Sequence, residues 1–219
     1  MDVYLIRHTE VAVGRRVAYG QSDVDLADTY EEQRDRLLAH LPGDDPAWQR
    51  PSAIFSSPLS RCQRLASDLA AAFSPGSQIE TAPGQTAVVG EHPLPVQFDD
   101  RLKEFFFGDW EMTPWADIGR EVLDPWMADF VNVRTPNGEN FSDVFERVSA
   151  FWQEKIQPLA QVQSSEPVFV VSHGGVIRAL LCLFLDLSLQ NAYRLNLDYG
   201  AVTKLTITDS SYTVQYINR

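Results

Sequence analysis

Two runs along the chain are apolar at every position: "VYLI" at residues 3–6 and "VFVV" at residues 168–171. Neither shows the alternation of a half-exposed strand, so both predict central strands covered on two faces. Further strand-like runs lie at Ala53 to Phe55, Ala201 to Ile207 and Tyr212 to Ile217. In "SSPLSRCQRLASDLAAAF" the spacing changes to that of a helix, with Leu59, Cys62, Leu65, Ala66 and Leu69 on one face. Ser57 is expected to cap it and Pro58 to take its first position, which sets Arg61 in the first turn. Strands interleaved with helices predict an α/β domain.

A Pro- and Gly-rich stretch, "SPGSQIETAPGQTAVVGEHPLP", reads as an irregular surface connection, since strand-like sequence resumes at Val96. Residues 101–141 are rich in aromatics and punctuated by Pro114, Pro125 and Pro136. They predict a lid-like excursion over the strand ends, within a single domain covering 1–219. Trp110, Trp115 and Trp126 in this segment are open to three roles: lining the lid, packing a core or meeting a partner.

Composition narrows the choice of partner. The 219 residues carry a formal charge of −12, which has the wrong sign for a nucleic acid or an anionic membrane surface. A small anion held by a local arginine cluster is still allowed, so a small phosphorylated metabolite is the expected ligand; self-association into a homodimer stays open. The only cysteines, Cys62 and Cys182, lie in helical patterns without metal-ligand spacing, which suits a reducing compartment. No apolar run has the length of a signal peptide or membrane span, and a cytoplasmic location is expected.

The candidate chemistry sits where strands end. Arg7 and His8 follow the first apolar run, and His173, Gly174 and Gly175 follow the second. In parallel α/β sheets such ends converge on the ligand crevice. Arginine binds two phosphoryl oxygens through a planar fork, which points to Arg7 and Arg61. A helix starting near Gly174 would turn free amides toward an anion. Neutral imidazole is a competent nucleophile, and Glu104, in "RLKEFFFGDWE", leads Asp109 and Glu111 as the acid that protonates a departing oxygen. Arg61 is expected at the pocket surface, where its removal would weaken phosphate binding more than the fold.

"LIRHTE", "SSPLSRCQRLA", "LKEFFFGDWE" and "VSHGGVIRALL", in this order, resemble the motifs of the histidine phosphatase superfamily, the phosphoglycerate-mutase-like proteins. The resemblance implies a three-layer α/β/α sandwich with a mostly parallel central sheet. It also implies a phosphohistidine on His8 formed without a metal or other cofactor. Arg7, Arg61 and a catalytic His173 carry over as the phosphate pocket and Glu104 as the proton donor, while Thr9, through its hydroxyl and amide, and Gly174, at the helix start, are expected from their own chemistry to bind phosphate as well. Gln21 and Glu139 are the candidate substrate-binding residues, Glu139 by analogy with the subset that contains α-ribazole-5′-phosphate phosphatases and fructose-2,6-bisphosphatase-type enzymes. An α-ribazole 5′-phosphate phosphatase of cobalamin synthesis is the implied function. The rivals are a phosphoglycerate mutase, a sugar-phosphate phosphatase, and a phospho-ligand-binding regulator without turnover. Two departures are visible: Thr9 and Gly14 stand at or near places where relatives have glycine and asparagine, and Tyr30 replaces the usual glycine in "LADTYEEQRDRL".

Overall fold

The structure is a computed structural model describing residues 1–41, 50–74, 78–82, 85–88, 94–162, 166–208 and 211–219. Six strands form the central sheet: β1 (Asp2–Arg7), β3 (Ala53–Ser56), β6 (Val96–Phe98), β8 (Val168–Ser172), β9 (Val202–Ile207) and β10 (Tyr212–Tyr216). They are ordered β10-β9-β1-β8-β3-β6. The four strands from β1 to β6 run parallel, and β9 and β10 close one edge antiparallel. The short pairs β2 (Val17–Ala18) with β7 (Thr113–Pro114) and β4 (Gln78–Ala82) with β5 (Gln85–Val88) stand apart. The β4–β5 pair falls within the stretch expected to be irregular; the rest of 75–93 lies outside the described residues.

The two unalternating apolar runs become β1 and β8, adjacent in the middle of the sheet. Successive side chains point to opposite faces, so Val3, Leu5, Val168 and Val170 enter one core cluster while Tyr4, Ile6, Phe169 and Val171 enter the other. The first cluster is covered by α4 (Phe141–Phe151) and α6 (Gly174–Phe184), the second by α1 (Tyr30–His40) and α2 (Ser60–Ala72). This is the expected three-layer sandwich. Tyr30 opens α1 and donates its hydroxyl to Asp68 Oδ2 on α2 at 2.8 Å, joining two helices of the same layer.

One local expectation needs correction, and one open role is filled. Helix α2 begins at Ser60, with Leu59 as an extended N-cap residue that makes no side-chain cap. Ser57 lies too early to cap it: its hydroxyl accepts from the Leu59 amide at 3.3 Å, just ahead of the helix, and also meets His173 Nε2 at 2.8 Å. The aromatic segment contributes to the core: Trp110 and Trp126 are buried, and Trp126 lies in the same cluster as Phe105, Leu123 and Phe141. The short helix α3 (Arg120–Ala128) carries Trp126 there, and α5 (Gln157–Gln161) follows a π-helical turn at Trp152–Ile156.

Phe169 is fully buried and meets Tyr4 and Phe73 edge-on. Phe169→Ala is expected to lower unfolding stability by about 3–5 kcal/mol, measured as a fall in urea midpoint at unchanged m-value.

Candidate active site

Strand register assembles the site. Arg7 pairs with Ser172 across β1 and β8, and Ser56 pairs with Val171 across β3 and β8, so three parallel strands end at one level. The next residues are therefore neighbours: the His8 amide donates to Ser172 O, the Ser57 amide to Val171 O, and the His8 and His173 rings lie 5.0 Å apart between centroids. Arg61 arrives from the first turn of α2. Its Nε donates to His173 Nδ1 at 3.3 Å.

The protonation pattern follows from the partners. His8 Nδ1 lies 2.7 Å from Thr9 O, an acceptor only, so Nδ1 carries the proton and Nε2 the lone pair. That Nε2 is buried without a hydrogen-bond partner, as are Arg7 Nε and Thr9 Oγ1. His173, accepting from Arg61 at Nδ1, holds its proton on Nε2 and donates it to Ser57 Oγ. Burial, reinforced by Arg61 and then Arg7, holds His8 well below the usual imidazole range. His173 is depressed by burial, then by Arg61, His8 and Arg7. Both rings are neutral at pH 7.

Arg61 is fully buried, contrary to the expectation of a surface-pocket arginine. It donates to Ser22 O at 2.9 Å and Gly20 O at 2.5 Å. Its removal therefore unties the 20–22 loop as well as withdrawing charge. Arg7 donates to Leu197 O at 2.5 Å and lies 4.0 Å from the Tyr199 ring centroid. A cavity of ≈ 150 Å³ opens at this point, lined by Arg7, Arg178, Glu104, Gly174, Tyr19 and Tyr199 among others. His8, Thr9, Arg61 and His173 are fully buried and stand outside its lining.

Glu104 is brought to the start of α6. The Gly175 amide donates to both of its carboxylate oxygens, at 3.1 and 3.2 Å. The glycines have steric reasons: a Cβ on Gly175 would stand 2.4 Å from Glu104 Oε1, and one on Gly174 would stand 2.9 Å from Arg178 Nη1 and 3.4 Å from Arg7 Cζ. The anion at this helix start is thus a side chain of the protein itself at Gly175, with guanidinium groups crowded over Gly174. Gln21 reaches the same corner, donating through Nε2 to Glu104 O at 3.0 Å. The rival acids are otherwise engaged. Glu111 accepts from the amides of Gln21, Ser22 and Phe107, and Asp109 from Asn137 Nδ2.

Glu139 is not brought to the cavity, which corrects its assignment to substrate binding. Its carboxylate accepts from the Phe106 amide at 2.9 Å and pairs with Arg147, Nε to Oε1 at 2.9 Å. Nor does it lie in the first turn of α4, where Asn140 and Asp143 form a reciprocal capping box. Arg147, which sequence reasoning missed, donates to the carbonyls of Arg101, Lys103 and Glu104, fixing the backbone under the carboxyl. Arg178, Tyr19 and Tyr199 were missed as well. Arg178 was findable, being four residues after Gly174 and hence on the same helical face. Tyr19 and Tyr199 meet hydroxyl to hydroxyl at 3.1 Å from loops far apart in sequence, which no local pattern signals.

Among the described residues no group of three or more His, Cys, Asp or Glu side chains is placed to hold a metal ion. No helix among them is long and apolar enough to cross a membrane. Because both histidines titrate below their unfolded value of about 6.5, the unfolded chain binds more protons in that window, and stability falls as pH drops through it. The slope between pH 7 and 5 is expected to reach up to about 1.4 kcal/mol per pH unit for each ring. Urea titrations at fixed pH should show it flattened in the His8→Gln/His173→Gln double variant; an unchanged slope would contradict the buried neutral state.

The chain is similar to known proteins. The adenosylcobalamin/α-ribazole phosphatase of Escherichia coli K12 is 30% identical over 134 residues, 60% of this chain and 64% of that protein; the match thus spans less than two thirds of the relative. A chain from Hydrogenobacter thermophilus that bears a phosphoserine phosphatase name is 26% identical over 99% of this chain and 95% of its own length. The crystal structure of the α-ribazole phosphatase from Shigella flexneri superposes with a TM-score of 0.75 at 25% identity, covering 100% of this chain and 96% of that one. The family profile described as histidine phosphatase superfamily (branch 1) matches residues 3–84 and 78–219. With two strand-end histidines and their arginines in one buried cluster, the chain belongs to the histidine phosphatase superfamily.

Proposed function

We propose that the protein is a phosphomonoesterase that works through a phosphohistidine on His8. One observation carries this reading: a neutral imidazole offers an unpartnered Nε2 inside a cluster holding Arg7, Arg61 and His173. His8 Nε2 gives its lone pair to phosphorus as the ester P–O bond breaks, and the departing oxygen takes a proton that the entering phosphate monoanion has passed to Glu104. The Nδ1–H bond to Thr9 O steadies the ring as it becomes positive. Arg7 and Arg61 offset charge on the equatorial oxygens. Water then attacks phosphorus and passes a proton to Glu104. The P–N pair returns to Nε2, inorganic phosphate leaves, and Glu104 is again the acid.

For the substrate we favour α-ribazole 5′-phosphate, on the strength of the Escherichia coli and Shigella relatives that carry that activity in their names. The Hydrogenobacter relative supports a second reading, a phosphatase of small polar phosphomonoesters such as phosphoserine. Phosphate release from the two substrates, assayed side by side without a bisphosphate primer, decides between them and tests mutase activity too.

Quenching in alkaline detergent, where a phosphohistidine survives, is expected to trap ³²P from labelled substrate on the wild type and none on His8→Ala, with turnover reduced by more than about a thousandfold. Equal labelling of both proteins would end the covalent reading.

For Glu104→Gln, the loss is expected at about 10²–10⁴-fold for an alkyl phosphate and far less for p-nitrophenyl phosphate, whose leaving group needs little protonation. Gly175→Ala should reproduce that selective loss, because its Cβ would stand 2.4 Å from Glu104 Oε1 and displace the carboxyl. Equal losses for both leaving groups would remove Glu104 from the acid role.

A further inference from the structure

Beside the arginine-lined cavity lies a second, larger one of ≈ 580 Å³, bounded by Trp126, Met127 and Phe130 and by Phe107, Trp115 and Tyr193. The last three line both cavities. No charged side chain lines the larger one. Its walls are mostly aromatic faces and edges: Phe107 stands edge-on to Trp115 at 5.1 Å, Trp115 lies within 17° of parallel to Trp126, and Phe130 meets Tyr193 at 5.0 Å. Met127 leaves 61% of its surface open on this rim. A protein of net charge −12 gains nothing in solubility from such a face, and concave apolar surface of this size is characteristic of a ligand site.

We infer that this groove receives an uncharged aromatic ring system, of two fused rings or more, carried by the leaving group of the phosphomonoester. This rests on reading the arginine-lined cavity as the phosphoryl site. Continuity through Phe107, Trp115 and Tyr193 identifies the occupant: a molecule whose phosphoryl group enters the small cavity must extend its remaining atoms past those three rings. The two ends divide the work. The guanidinium groups hold charge, and the groove takes apolar area out of water and stacks on flat rings. Compounds whose body is itself charged and small, such as phosphoserine or phosphoglycerate, place nothing there.

Binding and turnover are tested together. Calorimetry is expected to show 2-naphthylmethylphosphonate bound about tenfold or more tightly than methylphosphonate, and kcat/KM should favour 2-naphthyl phosphate over phosphoserine in the same sense. Met127→Glu and Met127→Lys, which alter only the groove rim, should both shrink the naphthyl advantage several-fold. The opposite charges separate loss of apolar surface from a simple electrostatic effect on the dianion, which would push the two variants in opposite directions. Equal affinity for the two phosphonates, or an advantage untouched by either substitution, overturns the inference. Phosphohistidine trapping reports separately on catalysis. Label with no naphthyl preference rejects the groove alone; a naphthyl preference without label upholds the groove and rejects the phosphatase.

Discussion

Arg7, Arg61 and Arg178 bring three positive charges to one end of the sheet, and among the described residues none forms an ion pair with a carboxylate. An unpaired buried charge is costly, and proteins ordinarily neutralise it with a partner. Here backbone carbonyls of Leu197, Gly20, Ser22 and Leu195 take one or two N–H donors of each arginine without cancelling the charge. The net positive potential that remains has two effects. It adds to burial in keeping both imidazoles neutral, which a nucleophile requires, and it makes a dianion the natural complement of the site in a molecule whose overall charge would repel one.

Holding such a cluster demands a rigid frame, and the frame comes from backbone. Parallel register levels the three strand ends. Ser172 Oγ donates to Leu102 O at 2.8 Å, tying β8 to the turn just before Glu104. Arg147 and Glu139 clamp the segment that follows, and Glu111 gathers the amides of the 20–22 loop that Arg61 also grips. Many of the polar contacts around the site thus run between a side chain and main-chain groups, so the placement of each functional group depends on loop geometry more than on pairs of side chains.

The uninterrupted apolar runs of β1 and β8 made the centre of the sheet legible in the sequence, and with it the meeting of His8 and His173. Arg61 was legible as a first-turn residue but not as a buried one, because burial depends on where the 20–22 loop folds back. Ser57 looked like a helix cap from its neighbours; its hydroxyl takes the Leu59 amide just ahead of the helix and is shared with His173, 116 positions away. Glu139 illustrates the same limit. Analogy suggested a substrate contact, and its reach to Arg147 and Phe106 gives its carboxylate partners within the protein. Local patterns report strands and helix faces; they are silent about which distant groups compete for a polar atom.

The position of β1 has a consequence for how the molecule is made. Val3 pairs with Val168 on one side and with Leu205 on the other, so the strand that delivers Arg7 and His8 has no hydrogen-bonded neighbour until chain from the far end of the sequence joins it. Such distant pairings slow folding and prolong the exposure of apolar strand edges. On the ribosome, "VYLI" would wait, sticky and unmatched, until residues 168–171 had been made, and the machinery it carries would become competent only after that.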